Sequence, residues 1–203
     1  MGKRHHEPDF RAITLGGTGS PMTGKGEVDL SGPGIPDNLV KQQYFNDGTY
    51  SRLTVHVDLT GLESSTTLDD IIGGADSSFD GKVANIATIP QEFGYLTRVN
   101  MFCAELPAGG VTDIDAYITS NELDYDEAAA GGTEHASGGA FVAGDYHEAL
   151  AQQTSQGTLV DVSSLLLYLK VGVAGTPGTY TGGKLIIILE GISNQLINRI
   201  ANP

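Results

Sequence analysis

The segment Tyr95-Leu-Thr-Arg-Val-Asn-Met-Phe-Cys-Ala-Glu-Leu106 runs into Pro107-Ala-Gly-Gly110 and then into Val111-Thr-Asp-Ile-Asp-Ala-Tyr-Ile-Thr119. In its first part Val99, Met101 and Cys103 recur at every second position. In its last part Ile114, Ala116 and Ile118 do the same, while Asp113, Asp115, Tyr117 and Thr119 fall on the opposite parity. Successive strand side chains point to opposite faces, so this spacing predicts two strands, each with one buried and one wet face. Pro107 fixes its own φ, and Gly109 and Gly110 supply the backbone freedom that a reversal needs. The segment therefore reads as a β-hairpin, or as two strands joined by a tight corner, in the middle of an all-β domain.

The same alternation recurs on either side. Leu53, Val55, Val57 and Leu59 mark an inward face between Arg52 and Leu59, and Lys82–Ile89 reads as a strand closed by Pro90. Leu68–Gly74 reads as a loop with an apolar plug. Residues 120–145 are acidic and Gly-rich and predict a long surface excursion with at most a helical turn. Tyr146–Gln152 suits a short helix or strand. Thr158–Val162, Leu165–Val173 and Lys184–Ile192 read as strands, the last two nearly continuous in apolar residues. Residues 175–183 form a turn-rich connection, and 193–203 a polar tail. Seven or eight strands at this spacing, with no helical period and no internal repeat, predict an antiparallel β-sandwich of jelly-roll type.

Residues 1–48 differ in texture. Gly16-Gly17, Gly19, Pro21, Gly24, Gly26, Gly32-Pro33-Gly34 and Pro36 punctuate them, and only Phe10–Leu15 suits a short strand. Such a stretch buries too little surface to offset its own ordering entropy. It is expected to be an extended arm (1–48) on a sandwich body (49–203), held by a partner if it is ordered. The 203-residue length suits one such domain plus an arm.

Charge is distributed unevenly. Residues 1–52 balance Lys3, Arg4, Arg11, Lys25, Lys41 and Arg52 against as many carboxylates, so the remainder carries the whole net charge of −14. Between Arg98 and Lys170 there is no Lys or Arg, against eleven Asp and Glu. That field repels nucleic acid and favours a solvated surface. No apolar run is long enough to span a bilayer as a helix. The basic start lacks an apolar stretch behind it, so no secretory signal peptide is expected. Cys103 is the only cysteine. On the apolar face of a strand it reads as a buried, inert thiol of a protein made in a reducing cytoplasm.

No motif carries a complete chemistry. Gly19-Ser-Pro-Met-Thr-Gly-Lys25-Gly26 approaches the phosphate-binding loop, but Gly26 stands where a hydroxyl must hold magnesium, and residues 27–33 suit no helix. Asp113 and Asp115, and Asp124, Asp126 and Glu127, are oxygen-rich groups, yet they lack the ligand series of a calcium loop. A glycosidase would need two carboxylates apposed across a cleft, and the chain has no Trp to serve as a sugar platform. His5 and His6 lie in the arm, His56 points outward, and His135 and His147 are isolated; His147-Glu148 lacks the second His of a zinc helix. No GxSxG elbow occurs. The reading is a protein with no catalytic, metal or cofactor residues.

Several segments resemble a group of virion structural proteins of tailed bacteriophages, marine ones especially. They are Leu53-Thr-Val-His-Val-Asp-Leu-Thr-Gly-Leu62, Asp69-Asp70-Ile71-Ile72-Gly73, Pro107-Ala-Gly-Gly110 with Asp113-Ile114-Asp115, and Gly178-Thr-Tyr-Thr-Gly-Gly-Lys-Leu185. They span about residues 50–192 and mark strand ends and turns. The resemblance implies a non-enzymatic decoration or cement subunit on the capsid exterior, binding the major capsid protein. A homo-oligomer is expected, with a trimer suited to a local threefold position, and neither nucleic acid nor membrane as partner. The alternative is a head-fibre or tail receptor-binding module that uses residues 120–145 as its recognition loop. An enzyme acting on glycans through paired carboxylates is the third reading.

Overall fold

The sandwich forms because long stretches of this chain alternate strictly while others are apolar on both parities. The computed structural model describes residues 27–28, 31–36, 38–135, 146–150 and 160–201. In chain order these form β1 (Glu27–Val28), β2 (Val40–Asn46), β3 (Tyr50–Asp58), β4 (Glu63–Ser64), β5 (Ala87–Thr88), β6 (Tyr95–Ala108), β7 (Ile114–Thr119), β8 (Thr133–His135), β9 (Tyr146–Leu150), β10 (Val160–Asp161), β11 (Leu166–Val171), β12 (Gly178–Thr179), β13 (Gly182–Ile192) and the helix α1 (Asn194–Ala201). All pairings between these strands are antiparallel.

The large sheet runs β1-β2-β3-β13-β6, and both β9 and β10 pair with the far edge of β6. The small sheet runs β5-β11-β7-β8, and β4 and β12 form a separate two-stranded ladder. Leu53, Val55 and Val57 of β3, Leu185, Ile187 and Leu189 of β13, and Val99, Met101 and Cys103 of β6 point into one core. Ile114, Ala116 and Ile118 of β7, registered with Val171, Leu169 and Leu167 of β11, belong to the same core. Each fully buried Val, Leu, Ile or Met among them contributes about 1.5–3 kcal/mol. Of three register shifts in the β6–β13 ladder, the one between Glu190 and Gly191 moves the inward parity of β6 from Leu96 to Val99, with Thr97 inserted. There Thr97 Oγ1 donates to the Glu190 carbonyl at 2.9 Å.

The segment 95–119 is a corner, not a hairpin: β6 lies in the large sheet and β7 in the small one. Gly109 takes φ +94°, open to glycine alone without strain. Gly110 packs against the Tyr180 ring, where a Cβ would stand 2.7 Å from ring carbons. Tyr180 is buried, and its hydroxyl donates to the Val111 carbonyl at 2.8 Å. The chain thus crosses from one layer to the other around a tyrosine.

Several expectations need correction. The second face of β7 is not wet: Asp115, Tyr117 and Thr119 are all buried. The excursion after β7 folds back over them. Tyr168 donates its hydroxyl to the Asn121 carbonyl at 2.9 Å and accepts from the Leu123 amide at 3.1 Å, and Leu123 is itself buried. The excursion then returns as β8 on the edge of β7. Its residues 120–135 are therefore part of the body; 136–145 lie outside the described residues.

The stretch 31–46 also belongs to the body. Gly32 and Gly34 donate backbone bonds to Asn85 and Val83 at 2.7 and 2.8 Å. A Cβ on either would collide with Val83 backbone atoms, so these glycines serve close approach, not an arm. β2 then pairs with β3 along its whole length, and Gln42 sends its amide inward to the Ile86 carbonyl at 2.7 Å. Residues 1–26, with the expected strand at Phe10–Leu15, lie outside the described residues.

Lys82–Ile89 contributes only the two-residue β5, because Ala84 and Ile86 spend their amides on Leu123 and Leu167 carbonyls in separate segments. The expected polar tail contains α1. Ser193 Oγ accepts from the Gln195 amide at 3.2 Å, which is a side-chain cap, and Leu196, Ile197 and Ile200 recur at helical spacing.

Candidate functional site

Two surfaces gather polar or exposed apolar groups that the core does not need. The first lies on the outer face of the small sheet. Lys170, in the middle of an otherwise apolar strand, is almost wholly buried. It pairs with Asp69, with Glu134 at 2.7 Å and with Asp115 at 3.9 Å. Burial disfavours its charge, but the hydrogen bonds and charges of Asp69 and Glu134 outweigh that and hold its pKa above the ordinary lysine value. Asp113, half-buried, lies beside it: a Cβ on Gly172 would meet Asp113 Oδ1 at 2.5 Å and Asp115 Oδ2 at 2.9 Å.

Beside this cluster Asp70, buried, accepts from Ser65 Oγ at 2.6 Å. Asp126 approaches Asp70 from the excursion, at φ +65°. Partial desolvation, together with the hydrogen bond and the charge of Asp70, raises the Asp126 pKa. Asp124 and Glu127 close a turn on each other, the Asp124 amide donating to Glu127 Oε2 at 3.2 Å. Sequence reasoning singled out Asp113, Asp115, Asp124, Asp126 and Glu127. The structure draws Asp115 to a lysine and Asp126 to Asp70. Among the described residues no group of three or more His, Cys, Asp or Glu is arranged to hold a metal ion. The cluster is a hydrogen-bonded brace of one lysine among three carboxylates that joins β11, β7, β8 and the loop at residue 69.

The second surface is the outer face of the large sheet. Strand register sets its rows. His56 lies between Lys41 and Ile186, and Ile186 is followed by Phe102. Thr54 lies between Gln43 and Ile188. Arg52 lies between Phe45 and Glu190, and Glu190 is followed by Arg98. Phe45 is 54 % exposed and Phe102 38 %. Phe45 and Tyr50 tilt against each other at 6.5 Å between ring centres. Together with Arg52, Thr54, His56, Ile186 and Ile188 they line an open groove of about 730 Å³. Tyr50 donates to Glu190 Oε1 at 2.6 Å, and burial together with that carboxylate pushes its pKa up to about 12.

This face was missed in the sequence, although β13 carried the signal. Leu185-Ile186-Ile187-Ile188-Leu189 is apolar on both parities, and such runs normally have both faces covered. Here Ile186 and Ile188 stay half-exposed. Cys103 is fully buried on the inner side. His5, His6 and the Gly19–Gly26 motif lie outside the described residues. No helix among the described residues is long and apolar enough to cross a membrane. The chain matches no protein-family model, no curated protein and no solved structure.

Proposed function

We propose that this chain is a structural binding subunit of a phage virion, seated on the head shell as a decoration or cement protein and stabilising it. The observation that carries the reading is the sidedness of the sandwich. The small sheet is sealed by its own excursion and acidic brace, whereas the large sheet leaves Phe45, Phe102, Ile186 and Ile188 at the surface. Contiguous exposed apolar side chains rimmed by polar ones mark interaction surfaces. A sheet face of this breadth suits a protein surface better than a small substrate, and the role needs no reaction centre. The resemblance to virion structural proteins over residues 50–192 supports the same reading, and residues 1–26 offer further length for contacts with neighbours.

Cryo-electron microscopy of the particle tests this. Density repeated over the head shell is the expected result. Density confined to the tail or to one vertex would favour the receptor-binding alternative, and no density on the particle would remove the virion role.

A further inference from the structure

Resting on that reading, we infer that the outer face of the large sheet is the docking surface, and that its occupant is an acidic protein surface with an apolar centre. The face carries four of the chain's eleven Lys and Arg, and four others lie outside the described residues. Lys41, Arg52, Arg98 and Lys184 all project from it, in a chain of net charge −14. The three carboxylates of this face whose side chains are described are engaged within it. Glu190 accepts from Tyr50 and lies 3.9 Å from Arg98; Glu105 pairs with Lys184; Asp58 accepts from the Thr60 amide and hydroxyl at 3.0 and 2.7 Å. Arg52, by contrast, has no ion-pair partner among the described residues. It stands between exposed Phe45 and the groove floor, where a planar guanidinium can meet a carboxylate with two parallel bonds.

Complementarity selects the partner. Among the described residues the outer side of the small sheet is dominated by carboxylates, so of the two sheet faces this one is suited to an acidic partner, and the field orients the approach. The aromatic and aliphatic side chains then supply desolvated contact at the centre of the patch: Phe45 and Phe102, with Ile186 and Ile188 between them.

The test uses the full chain added back to particles from which it has been dissociated, with the bound fraction read by co-sedimentation. Arg52→Glu and Phe45→Ser are compared with wild type and with Asp76→Asn, which lies in a loop outside the face. Melting curves establish that each variant is folded. The expected result is a loss of affinity of about tenfold or more for both face variants, none for Asp76→Asn, and weaker wild-type binding as salt rises to about 0.5 M. Folded face variants that bind like wild type, or wild-type binding indifferent to salt, would overturn the inference. So would variants that change only self-association, or a face that takes up a free anionic oligosaccharide and leaves particle binding unchanged. If wild type itself does not rebind, the virion role fails instead, which separates the two claims.

Discussion

Lys170 Nζ stands 2.7 Å from Glu134 Oε2, although β11 and β8 are not neighbours; β7 lies between them. The ammonium bridges over a strand whose own Asp115 it also faces. Three carboxylates and one lysine thus close a face that the excursion then covers. Removing the lysine leaves Asp115 buried beside other negative charges. Lys170→Met is expected to lower stability by about 3–5 kcal/mol. The double variant with Asp115→Asn should recover much of that. Urea midpoints of the three proteins check it; equal losses in the single and double variants would show that packing, not charge, is responsible.

Asp126, beside Asp70, makes stability depend on pH. The folded pKa of Asp126 is raised, so the folded chain holds its proton where the unfolded chain has released it. Stability from this group is therefore present at low pH and declines as pH rises from the ordinary aspartate value through the raised one. Asp126→Asn keeps a residue that tolerates positive φ and removes the charge. It should flatten the stability profile just above the ordinary aspartate value. Asp58 acts in the other direction: the hydroxyl and amide of Thr60 lower its pKa, so its contribution is lost on acidification. Denaturation midpoints on both sides of the ordinary aspartate value distinguish the two, because the Asp58 slope lies below it and only the slope above it should vanish in the variant.

At the corner, Gly110→Ala would place a methyl group 2.7 Å from the Tyr180 ring and 2.9 Å from Ser64 Oγ. Neither neighbour has room to retreat, since Tyr180 is held by Val111 and Ser64 Oγ accepts from the Val111 amide at 3.0 Å. A loss of about 1–3 kcal/mol is expected. Gly61→Ala is a useful comparison: it has open space but φ +89°, so it probes backbone strain alone. Thermal unfolding of both separates steric from conformational cost.

Tyr168→Phe should loosen the excursion without emptying the core. Its hydroxyl is pushed up to about 12 by burial, and it bridges the Asn121 carbonyl and the Leu123 amide. Phenylalanine keeps the ring and strands both backbone groups, at a cost of about 1–3 kcal/mol. Amide exchange at Leu123 should quicken more than exchange in β3 or β13. Uniform acceleration across both sheets would argue against a local role.

The inner halves of β3, β6, β7, β11 and β13 were legible because alternation reports one buried face directly. The outer faces were not. Asp115 and Tyr117 look like solvent-facing residues until the excursion that covers them is placed, and that placement depends on Tyr168, which is remote from β7 in sequence and holds Asn121 and Leu123. Lys170 was hidden for the same reason: a lysine in an apolar strand acquires meaning only from Asp69 and Glu134, far away along the chain. Gly32 and Gly34 misled in the other direction. Glycine at close backbone approach and glycine in an arm are the same letter. The helix at Asn194–Ala201 did carry a local signal, the Ser193 cap with Leu196, Ile197 and Ile200 behind it, and its polar residues obscured that spacing. The candidate docking face was half legible. The doubly apolar run of β13 announces an unusual strand, but only the sheet order shows that nothing within the described residues covers one side of it.

β13 occupies the middle of the large sheet, between β3 and β6, yet it is the last of the described strands in chain order. During synthesis β3 and β6 each wait with an unpaired edge until residues 182–192 have emerged. The large sheet therefore closes in one late event and not strand by strand. Such long-range pairing is slow, and the waiting edges are open to other chains. A host that makes many copies at once would do best to make them slowly or in the cold.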